Sequence, residues 1–221
     1  MITYVPPYLH VYLLDDHDIV RQGLRDLLVP AADIDVVGDS ESTRHALRAI
    51  PELGVDVMVL DLQLQDGTGI GVCRAVRSID PSIRGLLLTS SNDDEALLAT
   101  ILAGAAGYVV KLTRSSHITA AIRRVGAGKS LIEPRTLDRV SRQLLAGVDA
   151  LNPPLTEGER RVLPHVLEGL TNAQVAERLA ISLDAATEQI STLIERMTSP
   201  TSWQQSALDS TPSGKHRRVE D

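Results

Sequence analysis

The stretch that decides the fold is VDVMVLDLQLQDG, residues 55–67. Its first six residues are apolar except for Asp56, and a nearly continuous apolar run predicts a strand that is buried on both faces of a parallel sheet. Asp61 ends this run and opens into a polar loop that reaches Gly67. Because an ionised carboxylate is a poor core residue, we interpret Asp61 as a functional group at a strand end.

Four more β-rich runs occur before residue 130, at 11–14, 34–37, 86–89 and 108–110. The segments between them place apolar residues at helical spacing, as in residues 19–28 and 118–125. This alternation predicts an α/β domain at 8–130, a flavodoxin-like doubly wound fold with a five-stranded parallel sheet. Such folds bind ligands at the carboxyl ends of their strands.

The second part of the chain carries a purely helical pattern. Residues 131–154 read as a helical connector and linker, with a helix that starts after Pro134 and stops at Gly147. Helices follow at 156–168, 172–179 and 182–197, within a small all-α domain at 155–208. We predict a capping box at Thr156, further N-caps at Asn172 and Ser182, and a disordered tail at 209–221.

Composition excludes several protein classes. The chain has 221 residues, 43% of them hydrophobic, with no phenylalanine, so the core must be aliphatic. No apolar stretch reaches the roughly 18 residues that a membrane-spanning helix needs, and the N-terminus lacks a signal-peptide pattern. A single cysteine, Cys73, excludes an internal disulfide and suits a reducing compartment. We therefore expect a cytoplasmic protein.

Three carboxylates are expected to meet at one edge of the sheet. Asp15 and Asp16 end the first apolar run, and Asp61 ends the run at 55–60. If both runs are neighbouring parallel strands, these groups converge and repel one another unless a cation lies between them. Mg²⁺ prefers oxygen ligands of this kind, so the sequence predicts a magnesium site.

Together with the acidic pair and Asp61, Thr89 and Lys111 also follow apolar runs. These residues, with the segments LDLQLQDG (60–67) and LAGAAGYVVK (102–111), resemble the receiver domains of two-component systems. The whole chain resembles LuxR/FixJ/NarL-type response regulators, nearest the mycobacterial dormancy regulators through LTS (88–90) and GAGKSL (126–131).

The resemblance implies a role for each matching residue. Asp61 would accept a phosphoryl group from a sensor histidine kinase, and Mg²⁺ would be held by Asp15, Asp16, Asp61 and the carbonyl of Gln63. Lys111 and Thr89 would contact the phosphate, and Tyr108 would fill the space that Thr89 leaves on moving. Many receivers have proline where Gln65 and Leu112 stand, which would alter loop rigidity only.

The resemblance also implies a regulator of transcription rather than an enzyme, forming a homodimer or a heterodimer with a related regulator. A flavodoxin-type metabolic enzyme is disfavoured because no glycine-rich phosphate loop follows the first run.

The segments LTEGERRVL (155–163) and EGLTNAQVAERL (168–179) resemble a LuxR-type helix-turn-helix domain, which places the recognition helix at 183–197. That likeness implies contacts with promoter DNA from Thr187, Gln189, Arg178 and Arg196.

Charge argues against this assignment. Residues 151–211 hold eight acidic and four basic side chains, whereas phosphate contacts need lysine or arginine. Pro164 inside a helix also costs about 3 kcal/mol unless a kink absorbs it. Two interpretations stay open: a DNA-binding regulator, or a receiver that acts without DNA as a phosphate sink or heterodimer partner.

Overall fold

The computed structural model describes residues 8–90, 94–111, 115–148 and 153–198. Five parallel strands form the main sheet in the order β2-β1-β3-β6-β7. They are β1 (Leu9–Leu14), β2 (Ile34–Ser40), β3 (Val57–Asp61), β6 (Arg84–Thr89) and β7 (Gly107–Val110). The predicted five-stranded parallel sheet is confirmed, and the predicted runs fall on these strands with small shifts at their ends.

Helices cover both faces of this sheet. They are α1 (Asp18–Leu28), α2 (Thr43–Ala49), α3 (Gly69–Ile79), α4 (Asp94–Ala103) and α5 (Ser115–Gly126). Alternate residues of β1 and β3 point to opposite faces, so Val11 and Val57 pack in the cluster that includes α1 and α5, whereas Tyr12 and Met58 pack in the cluster with α2, α3 and α4. This arrangement is the doubly wound α/β fold that the sequence predicted.

A small hairpin, β4 (Gln63–Leu64) and β5 (Gly67–Thr68), follows β3 directly. Its turn is tied to the start of α2, because the Asp66 carboxylate accepts hydrogen bonds from Thr43 N at 3.0 Å and Ser42 Oγ at 2.9 Å. Each strand of the hairpin has only two residues, too few to show a period in the sequence. Gln65, which stands where many receivers have proline, lies in this anchored turn.

The small all-α domain that follows the receiver, called the output domain from here on, contains α7 (Glu157–Leu167), α8 (Asn172–Leu179) and α9 (Leu183–Thr198), and α6 (Pro134–Gly147) precedes it. The predicted capping box of Thr156 and Glu159 is confirmed, and Ser182 Oγ accepts a hydrogen bond from Ala185 N as predicted. The prediction that Asn172 is the N-cap of α8 was wrong. Thr171 caps α8 instead, in a second capping box: its Oγ1 accepts a hydrogen bond from Gln174 N, and its own backbone N–H donates to Gln174 Oε1.

The domain boundaries at 8–130, 131–154, 155–208 and 209–221 stay predictions. The part of the output domain after residue 198 and the predicted disordered tail lie outside the described residues, as does Leu112. Among the helices that are described, none combines the length and the hydropathy needed to cross a bilayer.

The two domains share one hydrophobic core. Every residue of α4 from Ala96 to Ala103 is buried, because α3 and β7 lie against the helix within the receiver and α7 and α9 contact it from the output domain. Buried residues of α4, α7 and α9 accordingly belong to a single apolar cluster. The output domain therefore completes the burial of a receiver helix.

Candidate functional site

The candidate site lies at the carboxyl edge of the main sheet. Asp61 is the last residue of β3, Thr89 is the last residue of β6, and Asp15 and Lys111 directly follow β1 and β7. Strands β1, β3, β6 and β7 are consecutive neighbours in the sheet, so their ends bring these residues to one edge. Thr89 is buried, and its carbonyl accepts a hydrogen bond from Lys111 N at 2.8 Å.

The ammonium group of Lys111 joins two of the carboxylates. Lys111 Nζ lies 2.7 Å from Asp15 Oδ2 and 2.9 Å from Asp61 Oδ2. Burial raises the pKa of Asp61 above its ordinary value, although Lys111 opposes this effect. Burial alone would lower the pKa of Lys111, but its hydrogen bonds to Asp15 and Asp61 raise it. The lysine is therefore held in its charged form beside the two carboxylates.

Potential metal ligands also gather here. One ligand atom from each of Asp15, Asp16, His17 and Asp61 lies within 4.8 Å of all the others. Among the described residues, Lys111 pairs with Asp15 and Asp61 but not with Asp16, so an excess of negative charge remains for a cation to neutralise. Carboxylate oxygens suit a hard divalent ion, and the residues present therefore fit a metal of this kind.

His17 is a neighbour of the site that sequence reasoning missed. Its Nδ1 lies 2.7 Å from Asp16 Oδ1, and its backbone N–H donates to Asp15 Oδ1 at 2.9 Å. The position of His17 directly after two acidic residues was the available signal.

Arg21, on α1, was also missed. It is buried, and its Nη1 donates to the Asp15 carbonyl at 2.7 Å while its Nε donates to Asp39 Oδ2 at 3.0 Å. Arg21 therefore fixes the backbone that presents the acidic pair. Its sequence context is an ordinary amphipathic helix, which carries no hint of this contact.

Two further predicted residues lie in the same region. Gln63 starts the hairpin two residues after Asp61, and Tyr108 is half-buried in β7 beside Leu87 of β6. The metal contact of the Gln63 carbonyl and the movement of Tyr108 stay predictions.

The residues predicted to contact DNA occupy different surroundings in the output domain. Arg196 Nη1 lies 2.6 Å from the buried Glu159 Oε2, and its other nitrogen donates to the Pro153 carbonyl. Its guanidinium thus holds α9 to the start of α7 within the domain. Arg178 is exposed, 3.6 Å from Glu168.

The other two residues that were predicted to contact DNA lie on α9. Thr187 is exposed, and its Oγ1 accepts a hydrogen bond from Asn172 Nδ2 at 3.3 Å. Gln189 packs against Gly158 of α7, where an added Cβ would lie 2.9 Å from the Gln189 amide carbon. The remaining exposed charged residues of α9 are acidic: Asp184, Glu188 and Glu195.

A family model for the response regulator receiver domain matches residues 11–123. The chain belongs to the response regulator family. It is 41% identical over 189 residues to the DNA-binding transcriptional activator DevR/DosR of Mycobacterium tuberculosis, covering 85% of this chain and 87% of that protein. It is 28% identical to the response regulator protein VraR of Staphylococcus aureus, covering 85% and 89% of the two chains.

Solved response regulators share this fold. A LuxR-family two-component regulator from Aurantimonas has a TM-score of 0.54 at 30% identity, over 62% of this chain and 97% of that one. The RcsB response regulator of Salmonella typhimurium has a TM-score of 0.52 at 24% identity over 87% and 93%, and this likeness extends the shared fold to most of the chain. The predicted family and fold class are confirmed, whereas the roles of individual site residues stay predictions.

Proposed function

We propose that this response regulator is phosphorylated on Asp61 by a sensor histidine kinase and that phosphorylation controls transcription through its output domain. The observation that carries this proposal is the Lys111 ammonium placed between Asp15 and Asp61 at adjoining strand ends. A buried nucleophile beside a fixed positive charge is the arrangement that phosphoryl transfer requires, because the protein mainly positions groups and stabilises charge in this reaction.

The proposed step is a transfer between two side chains. An Asp61 carboxylate oxygen attacks the phosphorus of a phosphohistidine, the P–N bond breaks, and an acyl phosphate forms while the electron pair leaves with the imidazole. Lys111 then lies beside a phosphoryl oxygen, and Thr89 offers its hydroxyl as a donor.

Mg²⁺, held by Asp15, Asp16, Asp61 and the Gln63 carbonyl, would neutralise charge on the transferred group. Cation binding would also relieve repulsion among the three carboxylates in the resting protein.

A phosphodonor experiment tests the acceptor. Incubation with acetyl phosphate and Mg²⁺ should give a hydroxylamine-labile adduct, and Asp61→Asn should abolish it. Asp56→Asn is the matched control, because Asp56 precedes β3 at the opposite end of that strand, where it accepts a hydrogen bond from His10 N. An adduct that persists in Asp61→Asn would remove Asp61 from its role.

For the output, the proposed function is binding to promoter DNA as a dimer, with α9 in the major groove and contacts from Thr187, Gln189, Arg178 and Arg196. The relative DevR/DosR, described as a DNA-binding transcriptional activator, supports this proposal. A cytoplasmic location, where a kinase and DNA are both accessible, belongs to the same proposal.

The acidic exposed face of α9 and the internal ion pair of Arg196 favour a second candidate. In it, the protein acts without DNA, as a phosphate sink or as a heterodimer partner of a related regulator. Gel shifts with promoter DNA at low salt, with and without phosphodonor, separate the two candidates. A shift that Thr187→Ala weakens supports DNA binding, whereas no shift at micromolar protein supports the second candidate.

A further inference from the structure

The contact between the two domains is centred on one buried arginine. Arg74, on α3 of the receiver, is 3% exposed. Its Nε donates to Asn172 Oδ1 and its Nη2 donates to the Leu170 carbonyl, both at 2.8 Å and both in the output domain. Its Nη1 donates to the Leu102 carbonyl near the end of α4, also at 2.8 Å. One guanidinium group therefore joins α3, α4 and the turn that leads into α8.

All three acceptors of Arg74 are neutral groups. Burial lowers the pKa of Arg74 to about 10, so the side chain still carries its charge at neutral pH. Enclosing a cation without a charged partner is unfavourable unless hydrogen bonds replace its hydration shell. The output domain supplies two of those three bonds, and separation of the domains would return the guanidinium to water.

Asn172 extends this contact towards α9. Its backbone N–H donates to Ser78 Oγ of α3 at 3.0 Å, and its side-chain Nδ2 donates to Thr187 Oγ1 at 3.3 Å. The amide of one buried asparagine is thus shared between a receiver arginine and a residue of the proposed recognition helix. This use explains why Asn172 does not cap α8, a role that Thr171 takes.

We propose that Arg74 and Asn172 form an interdomain latch that holds the output domain against α3 and α4 and occupies the hydroxyl of Thr187. The holding role depends only on the contacts of the resting protein. The occupation of Thr187 affects function only if Thr187 contacts DNA, and in that respect alone the inference rests on the proposed function.

Helix α4 connects the latch with the proposed phosphorylation site. Helix α4 begins a few residues after Thr89 at the sheet edge, and its far end presents the Leu102 carbonyl to Arg74. A displacement of α4 would therefore move one of the three acceptors of the guanidinium. The latch is placed to respond to a change at Asp61 without touching it.

Hydrogen exchange on the full, unphosphorylated chain, without DNA or phosphodonor, tests the latch. Arg74→Ala should speed amide exchange in segments 94–103 and 169–175 by about tenfold or more, because buried acceptors lose their donors. Asn172→Asp should slow exchange there, since a carboxylate gives Arg74 a charge-assisted partner. Arg124→Ala, an exposed arginine on α5, is the charge-matched control and should change nothing.

Receiver integrity is followed through Cys73, which is fully buried and reacts with a thiol reagent only if α3 loosens from the sheet. Unchanged exchange in Arg74→Ala with Cys73 still protected would overturn the latch. If Arg74→Ala exposes Cys73, Asn172→Ala decides from the output side, and unchanged exchange in that variant overturns the proposal. Failure of DNA binding would leave all these rates unaltered, so the two proposals fail separately.

A second readout concerns Thr187. In gel shifts without phosphodonor, Asn172→Ala and Arg74→Ala both weaken the domain contact, but only Asn172→Ala removes the amide that donates to Thr187. A gain in DNA affinity that is larger in Asn172→Ala than in Arg74→Ala supports the occupation of Thr187, whereas equal affinities in the two variants reject it.

Discussion

Gly69→Ala offers the sharpest test of how Asp61, the proposed phosphoacceptor, is positioned. Gly69 is the first residue of α3, and a Cβ added there would lie 2.1 Å from the Asp61 carbonyl oxygen and 3.2 Å from Leu60 Cβ. Real Cβ atoms essentially never approach other atoms within 3.0 Å, so α3 and the end of β3 must separate by about 1 Å. Neither obstacle can swing aside, since one is backbone and the other is attached to it.

The expected cost follows from this overlap. Overpacking of this kind destabilises a protein by about 1–3 kcal/mol, and alanine recovers up to about 1 kcal/mol through its better helix propensity. We expect a net loss of about 1–2 kcal/mol in the free energy of unfolding. Because a misplacement of about 1 Å can cost on the order of a hundredfold in rate, adduct formation at Asp61 should slow more than stability alone explains.

Two measurements check this expectation: urea denaturation and the initial rate of hydroxylamine-labile adduct formation at saturating Mg²⁺. Gly71→Ala is the matched control, because it lies two residues further along α3 and its added Cβ would meet only Thr68 Oγ1, at an ordinary 3.4 Å. The control should match or exceed the wild type in both measurements. If Gly69→Ala behaves like Gly71→Ala, the close approach of α3 to Asp61 is not what positions the acceptor.

Three further predictions concern other elements. Gly23→Ala should raise the free energy of unfolding by about 0.5–1 kcal/mol, since Gly23 lies inside α1 with nothing within 4 Å of the added Cβ; a loss in urea denaturation would contradict this. Thr156→Ala should cost about 1 kcal/mol through loss of the capping box, whereas the exposed Thr192→Ala should cost less in the same assay. The raised pKa of Asp61 means that folding favours its protonated form, so its contribution to stability is present at low pH and lost as pH rises through the folded-state pKa. In the metal-free protein, the ionised Asp61 carboxylate should accordingly be lost on acidification with a midpoint above the ordinary carboxyl pKa of 3.8. An NMR titration of the Asp61 carboxyl group with its midpoint at or below 3.8 would refute this.

The residues of the candidate site could be predicted because each is recognisable from its immediate neighbours in the sequence. Each of Asp61, Thr89 and Lys111 adjoins the end of an apolar run, and parallel strands bring their carboxyl ends to the same edge of a sheet. The only assumption was that β1 and β3 are adjacent strands, and the strand order confirms it. The start of α7 could be predicted for the same reason, because the capping box of Thr156 spans only four residues of the sequence.

The contacts that escaped prediction depend on residues far apart in the chain. Arg74 and Asn172 are separated by 98 positions, and nothing in the amphipathic pattern of α3 distinguishes an arginine that faces another domain from one that faces water. The mistaken N-cap at Asn172 has the same origin. Threonine and asparagine are both good caps, and only the position of α3 decides that Thr171 caps α8 while Asn172 bonds to the receiver.

Helix α4 shows how these distant contacts bear on control. A helix that is apolar on all sides is stable only when every side is covered, and in this protein the output domain covers the side that the receiver leaves open. Separation would expose that surface to water and would break the two hydrogen bonds that the output domain accepts from Arg74. Both effects favour the docked arrangement, and rehydration of the guanidinium offsets only part of the second. Because a modification shifts an equilibrium only by its differential free energy between the two states, the proposed phosphorylation of Asp61 can loosen this contact only by favouring a position of α4 that the docked output domain does not allow.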